Sequence, residues 1–421
     1  MTTSYAPAEQ ETATPAPRPG ADAPEAVSRR RYDLDWLRIC AFGVLIFYHV
    51  GILYVTWGNA DIKSRYTSPV IEPLMGLISS LASLFFISGV AVRFAIDKVN
   101  LGKFLVERSA RLFIPLVFGA FVICVPQTYV ALRYTDQIPP GFLAFYRDYL
   151  GFGRYAFSLP DLHHLWYVAA ILSYTLITAA CLPVLRVADS ALVRPFFGWL
   201  DGGRAWRVLL VPATPFVLYV AVLDIYLSSS DMANWAYWAG TARTLTFFFM
   251  GFFAAKNGHF WSAIDRALPA SIGLSLALAI LELTAWLNQF EMGTDSGLLY
   301  AALLLRPFYA WSIMVMLLGL ARRFASGPSR ALTYLTAGVF PYYILHQTII
   351  VVVAYWFTMH EAPLAIEATA IIGATVLGCA LGYEIIRRVT VLRPLFGLPM
   401  REKPVSRSAL PSPETGVVRK R

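Results

Sequence analysis

The chain reads as an all-α integral membrane protein of about ten transmembrane helices with both termini cytoplasmic. Three observations lead to that class. Of 421 residues, 57% are hydrophobic and 14% charged, with a mean hydropathy of +0.57, a balance unlike that of soluble globular domains. Apolar runs long enough to cross ~30 Å of hydrocarbon recur along most of the length. The basic residues between them gather in alternate connections, the asymmetry that orients helices with their positive loops inside.

Taken in order, residues 1 to 30 are rich in Ala, Pro, Thr and Glu and lack a hydrophobic core segment. They read as a disordered cytoplasmic tail, neither signal peptide nor folded domain. Ten apolar runs follow, at about 36–56, 70–96, 111–132, 163–187, 206–227, 236–256, 266–287, 297–321, 331–358 and 363–386. They sit within a membrane domain over 31–390, and 391–421 reads as a basic cytoplasmic tail. Connections after even-numbered runs carry Lys98, Lys103, Arg108 and Arg111, then Arg194 and Arg204, then Lys256 and Arg266, then Arg322, Arg323 and Arg330. The last three odd-numbered connections hold no Lys or Arg, and the first two only Lys63, Arg65, Arg133, Arg147 and Arg154. A multi-pass protein of the inner cell membrane is expected, with the bilayer as its first partner.

The net charge of +9 therefore reflects topology. It does not point to nucleic acid, since no basic soluble face is interleaved with aromatics. Cys40, Cys124, Cys181 and Cys379 fall inside apolar stretches without paired spacing, which suggests small packing side chains. No metal-ligand cluster and no Gly-rich phosphate loop is present, so neither a metal nor a permanently bound cofactor is expected. No internal repeat or inverted hydropathy symmetry is visible, which weighs against a secondary transporter.

Ionisable residues inside apolar runs are costly, so each needs a reason. Arg38 and His49 share the first run, and eleven residues at ~100° each bring both to one helical face, roughly 16 Å apart along the axis. Taken alone, His49 is as well explained by a hydrogen bond to a neighbouring helix. Arg38 is as well explained by positive-inside anchoring or by a pair with Asp35, three residues earlier. Arg93, Asp224, Arg243, Glu282, Arg306, Glu367 and Glu384 are further polar intrusions, expected to pair or to lie near an interface; His259 and His360 are expected to be solvated. The stretch from Arg133 to Leu162 carries Tyr146, Tyr149, Phe152 and Tyr155, a composition suited either to stacking on sugar rings or to an interfacial aromatic belt.

The segment Arg31-Tyr-Asp-Leu-Asp-Trp-Leu-Arg38, followed by ten residues and His49, resembles the opening of the membrane-bound acyltransferase 3 family. Phe85-Phe86-Ile87-Ser88-Gly89 is similar to that family's second-helix signature, and Phe104, Arg108, Arg111, Leu112 and Pro115 to its following loop and third helix. Pro126-Gln127-Thr128-Tyr129, His163-His164-Leu165-Trp166-Tyr167 and Phe340-Pro341-Tyr342-Tyr343-Ile344-Leu345-His346-Gln347 resemble the glucan biosynthesis protein C branch, whose members are associated with succinylating periplasmic glucans. The resemblance runs from about Arg31 to Arg388.

It implies an O-acyltransferase that takes an acyl group, acetyl or succinyl, from cytoplasmic acyl-CoA as co-substrate and places it on an extracytoplasmic carbohydrate hydroxyl. On that reading His49 and Arg38 are catalytic, with His49 the base. Arg108, Arg111 and Arg38 bind the donor, since guanidinium groups suit phosphates. His164, His163, Tyr167 and His346 bind substrate or relay protons. Three other functions stay open at this stage: a transporter exporting a glycan or lipid unmodified, a membrane glycosyltransferase, and an assembly subunit without catalysis. The outer loop Trp57 to Ser68 holds only Asp61 as an acidic residue, which disfavours the glycosyltransferase.

Overall fold

A computed structural model describes residues 30–57, 61–78, 83–151, 162–220, 233–292 and 297–400. The chain divides into Met1–Arg31 and Tyr32–Arg421, and every described helix lies in the second unit. In chain order the helices are α1 (Tyr32–Gly51), α2 (Ile71–Ile78), α3 (Ser83–Ile96), α4 (Leu101–Phe118), α5 (Val125–Tyr134), α6 (Phe142–Leu150), α7 (Trp166–Ala180), α8 (Leu182–Ala188) and α9 (Arg194–Asp201). They continue as α10 (Ala205–Leu210), α11 (Thr214–Tyr219), α12 (Ala233–Ala254), α13 (Gly258–Met292), α14 (Gly297–Phe324), α15 (Arg330–Thr358), α16 (Leu364–Arg388) and α17 (Leu392–Leu395). Among the described residues there is no strand, and a helix satisfies its own backbone groups within lipid.

Among the described residues, seven helical stretches are long and apolar enough to cross a membrane: Tyr32–Tyr54, Ile71–Ile96, Leu101–Tyr134, Gly258–Leu287, Ala301–Phe324, Arg330–Thr358 and Leu364–Arg388. The pair His163–Ala180 and Leu182–Asp201 makes an eighth only if taken as one span, and it is bent by 77°. The expected run of 163–187 thus breaks at Cys181. Pro183, in the first turn of α8, has no N–H to continue the ladder from α7. The run expected at 206–227 meets the short helix Ala205–Tyr219 and then passes outside the described residues. The run at 236–256 falls on α12, where Arg243 and several threonines dilute the apolar stretch. Hydropathy located the seven long spans, and the remaining expected runs are those that proline or threonine interrupts or that pass outside the described residues.

Helix α1 packs against α14, α15, α16 and α3, so the first apolar run is central to the bundle. The closest pairings are α13 with α14, α3 with α12 and α15 with α16. In lipid, helices associate through close packing, and small residues permit it. A Cβ at Gly89 would run into the Phe248 carbonyl, and one at Gly251 into the Phe86 carbonyl. These two glycines let α3 and α12 meet backbone to backbone, which accounts for the glycine that ends Phe85-Phe86-Ile87-Ser88-Gly89.

Of the charged intrusions, Arg93, Glu282, Arg306 and Glu384 are paired. Arg93 bonds Asp97 and Asp189, both at 3.3 Å, and lies 5.0 Å over the Phe252 ring. Asp97 also holds Lys256 at 2.8 Å. Burial pushes the Asp97 carboxyl up, but the Lys256 hydrogen bond and the charges of Arg93, Lys256 and Arg186 outweigh it and hold the group below the usual carboxylate range. Arg306 reaches Glu282 at 3.0 Å between α14 and α13, and Glu384 binds Arg387, Arg388 and Tyr334. Asp224 lies outside the described residues.

The expected boundary at 390 stops short of the folded unit. Phe396 and Leu398 are buried, and α17 packs on α4 and α16.

Candidate functional site

At the N-terminal end of α1, Arg38 pairs with Asp35 at 3.3 Å, so the structural pairing is present. It leaves the Arg38 Nε buried without a partner. Arg108 and Arg111, one turn apart on α4, lie within electrostatic reach of Arg38 and of each other. The Arg108 Nε is likewise buried and unpartnered, while the Arg111 Nε donates to the Gly397 carbonyl at 3.1 Å. Gly397 has φ of +71°, and a side chain there would meet Phe340. Three guanidinium groups from two helices therefore converge with two donor atoms unused. A buried unmet donor on a cation is costly, and an anion would satisfy it.

Near the other end of α1, three histidines from three helical segments converge. His49 Nδ1 lies 3.3 Å from His346 Nε2 on α15, and the His346 ring is 5.1 Å from that of His164, in the turn that opens α7. His346 Nδ1 is 2.7 Å from the Tyr343 carbonyl, and His164 Nε2 is 3.1 Å from the Ile344 carbonyl. A carbonyl accepts only, so both of these ring nitrogens carry protons. His164 Nδ1 is then the acceptor for the Gln127 amide at 3.4 Å. His163 turns the other way, through a left-handed backbone with φ of +40°. Its Nδ1 meets Asp61 at 3.3 Å and its Nε2 meets the Thr128 hydroxyl at 2.8 Å.

The distorted middle of the third span positions this group. Residues Gly119–Ile123 form a π-helical turn, in which the Cys124 amide reaches back to the Gly119 carbonyl at 2.8 Å. A π-turn frees carbonyls from the α ladder, and within a membrane they need other donors. Thr348 donates to Ile123 at 2.8 Å and Tyr146 to Phe121 at 3.0 Å. Gln127 donates to Thr348 at 2.6 Å as well as facing His164. The distortion in one span is thereby tied to α15 and to the histidines. Tyr146 and buried Tyr149 are packed on α6 against this turn, a use different from an open sugar-stacking face. Phe152 and Tyr155 lie outside the described residues.

The two ends of α1 are joined by aromatic side chains. Tyr167 is within electrostatic reach of Arg38 and Arg108, and its hydroxyl bonds Ser88 at 2.7 Å. Its ring is 5.7 Å from Tyr343, which is 5.7 Å from His346 and donates its hydroxyl to the His164 carbonyl. The structure thus brings Arg38, Arg108, Arg111, Tyr167, His164, His346 and His49 into one continuous column, with His163 beside it. Sequence reading assigned no role to Gln127, Tyr343 or Thr348. A polar residue in an apolar run was the available signal for Gln127 and Thr348, and neither is ionisable enough to draw attention.

The acyltransferase domain of the acyltransferase 3 family matches residues 31–384 of the chain. No curated protein and no solved structure matches it.

Proposed function

We propose, for a chain that belongs to the acyltransferase 3 family, O-acyl transfer from cytoplasmic acyl-CoA to a hydroxyl of an extracytoplasmic glycan, acetyl and succinyl being the acyl groups in view. That the chain is a multi-pass membrane acyltransferase rests on the family match and its apolar helices. The donor, acceptor and direction are our reading, and the observation that carries it is the column from three arginines to His49.

In this reading the phosphates of the donor occupy the Arg38, Arg108 and Arg111 cluster, where two buried N–H groups lack partners. The thioester arm extends along Tyr167 and Tyr343. His49, about 16 Å from Arg38 along α1, meets the acceptor hydroxyl from the far side. Its unprotonated nitrogen takes the hydroxyl proton as the oxygen attacks the thioester carbonyl. The C–S bond breaks, the proton passes from His49 to the departing sulfur, and the products are the glycan ester and coenzyme A thiol. His164 and His163, the latter anchored by Asp61, border the approach of the acceptor.

Mass spectrometry of envelope glycans from cells making the intact protein, His49→Ala or neither tests this reading. An ester mass found only with the intact protein is expected. Equal ester with His49→Ala, or none with any form despite membrane insertion of both, would contradict it.

A further inference from the structure

We propose that His346 is a positioning residue whose imidazole accepts a hydrogen bond from His49 and so sets which His49 nitrogen acts as base. The inference rests on the proposed role of His49. His346 is 0% exposed, so its imidazole is placed to act through the rings packed around it. Its ring is enclosed by Phe42 at 5.4 Å, His164 at 5.1 Å and Tyr343 at 5.7 Å. The Tyr343 carbonyl, one turn back on α15 and 2.7 Å away, takes the Nδ1 proton. A neutral imidazole has one N–H, so the Nε2 lone pair is left facing His49 Nδ1 at 3.3 Å.

That contact works in one sense only. Both nitrogens cannot accept, so His49 Nδ1 must carry the proton, and His49 Nε2 is the nitrogen that remains free to take one. The Leu45 carbonyl, one turn back on α1, is a second acceptor within electrostatic reach of the His49 ring. When His49 takes the acceptor proton, its charge makes the bond to His346 a charge-assisted one, which stabilises the state formed during transfer. A backbone carbonyl thereby sets a tautomer two rings away, with no carboxylate required between them. His164 does not substitute: it points its protonated nitrogen at the Ile344 carbonyl.

The test uses full-length protein in liposomes, with coenzyme A thiol release as the readout. His346→Phe keeps a ring and removes the acceptor; His346→Gln restores an acceptor oxygen at a similar reach. His346→Phe is expected to lower kcat ~10–100-fold, part of the ~10²–10⁴ a general base contributes, with KM for acyl-CoA nearly unchanged. His346→Gln is expected to recover most of that loss. Should the phenyl ring not be accommodated, His346→Leu takes its place. Full kcat in the apolar variant, or an equal loss in the Gln and apolar variants, would overturn the inference. His49→Ala run in parallel separates the two ideas. Undiminished release there removes the base itself, whereas loss there with full activity in His346→Phe removes only the positioning role.

Discussion

Arg108 is the residue on which donor recognition is most exposed to test. Its Nε is buried without a partner, whereas Arg111 already spends its Nε on Gly397. Arg108→Gln is therefore expected to raise KM for acyl-CoA ~10–100-fold, the worth of one or two charge-assisted hydrogen bonds. Arg111→Gln is expected to cost less, and steady-state kinetics over a range of acyl-CoA concentrations separates the two. At this scale the sequence was most informative where residues are chemically conspicuous. Arg38, His49, His164 and His346 stood out because charge or imidazole inside an apolar run demands an explanation, and Arg108 and Arg111 because they resemble the family's loop and third-helix motif. Gln127, Tyr343 and Thr348 did not, because their roles depend on a partner that only the packed bundle supplies.

Among the elements, the α3 and α12 pair and the π-turn at Gly119–Ile123 set the geometry. Gly251→Leu is expected to lower thermal stability in detergent by at least ~1–3 kcal/mol, since the Phe86 carbonyl it meets is backbone and cannot rotate aside. Thr348→Val removes the donor to the Ile123 carbonyl, with an expected loss of ~1–3 kcal/mol for the unmet buried group. Because Thr348 also receives the Gln127 amide, this variant is expected to impair transfer beyond its stability cost; Gly251→Leu measured at matched folded fraction is the control. The long spans were legible from apolar runs. The π-turn and the bend between α7 and α8 were not, because hydropathy is blind to a one-residue change in hydrogen-bond register.

Across the whole molecule, charge pairs reinforce the apolar packing. Arg93, Asp97, Asp189, Arg186 and Lys256 connect α3 and α8 to the second π-helical turn, Asp189–Val193, and to the segment after α12. Asp97 is held below the usual carboxylate range, so its contribution is present at neutral pH and lost as pH falls through its lowered value. Asp97→Asn is thus expected to melt earlier than the intact protein at pH 7, with the gap closing below about pH 4, near the ordinary carboxylate value. Melting curves across that range check it. The paired arrangement was anticipated for Arg93 and Glu282; the way the C-terminal segment to Leu398 seats against α4 was not, since a short Pro- and Arg-containing stretch has no apolar run to announce it.

On the proposed mechanism His49 carries the transfer while the arginine cluster, at the other end of α1, holds the donor. One experiment separates those two roles: acceptor-dependent release of coenzyme A thiol by reconstituted protein, measured together with acyl-CoA binding, for the intact chain and His49→Ala. His49→Ala is expected to bind acyl-CoA as the intact protein does and to release no thiol above background. A correctly inserted His49→Ala that turns over at the intact rate would contradict the assignment.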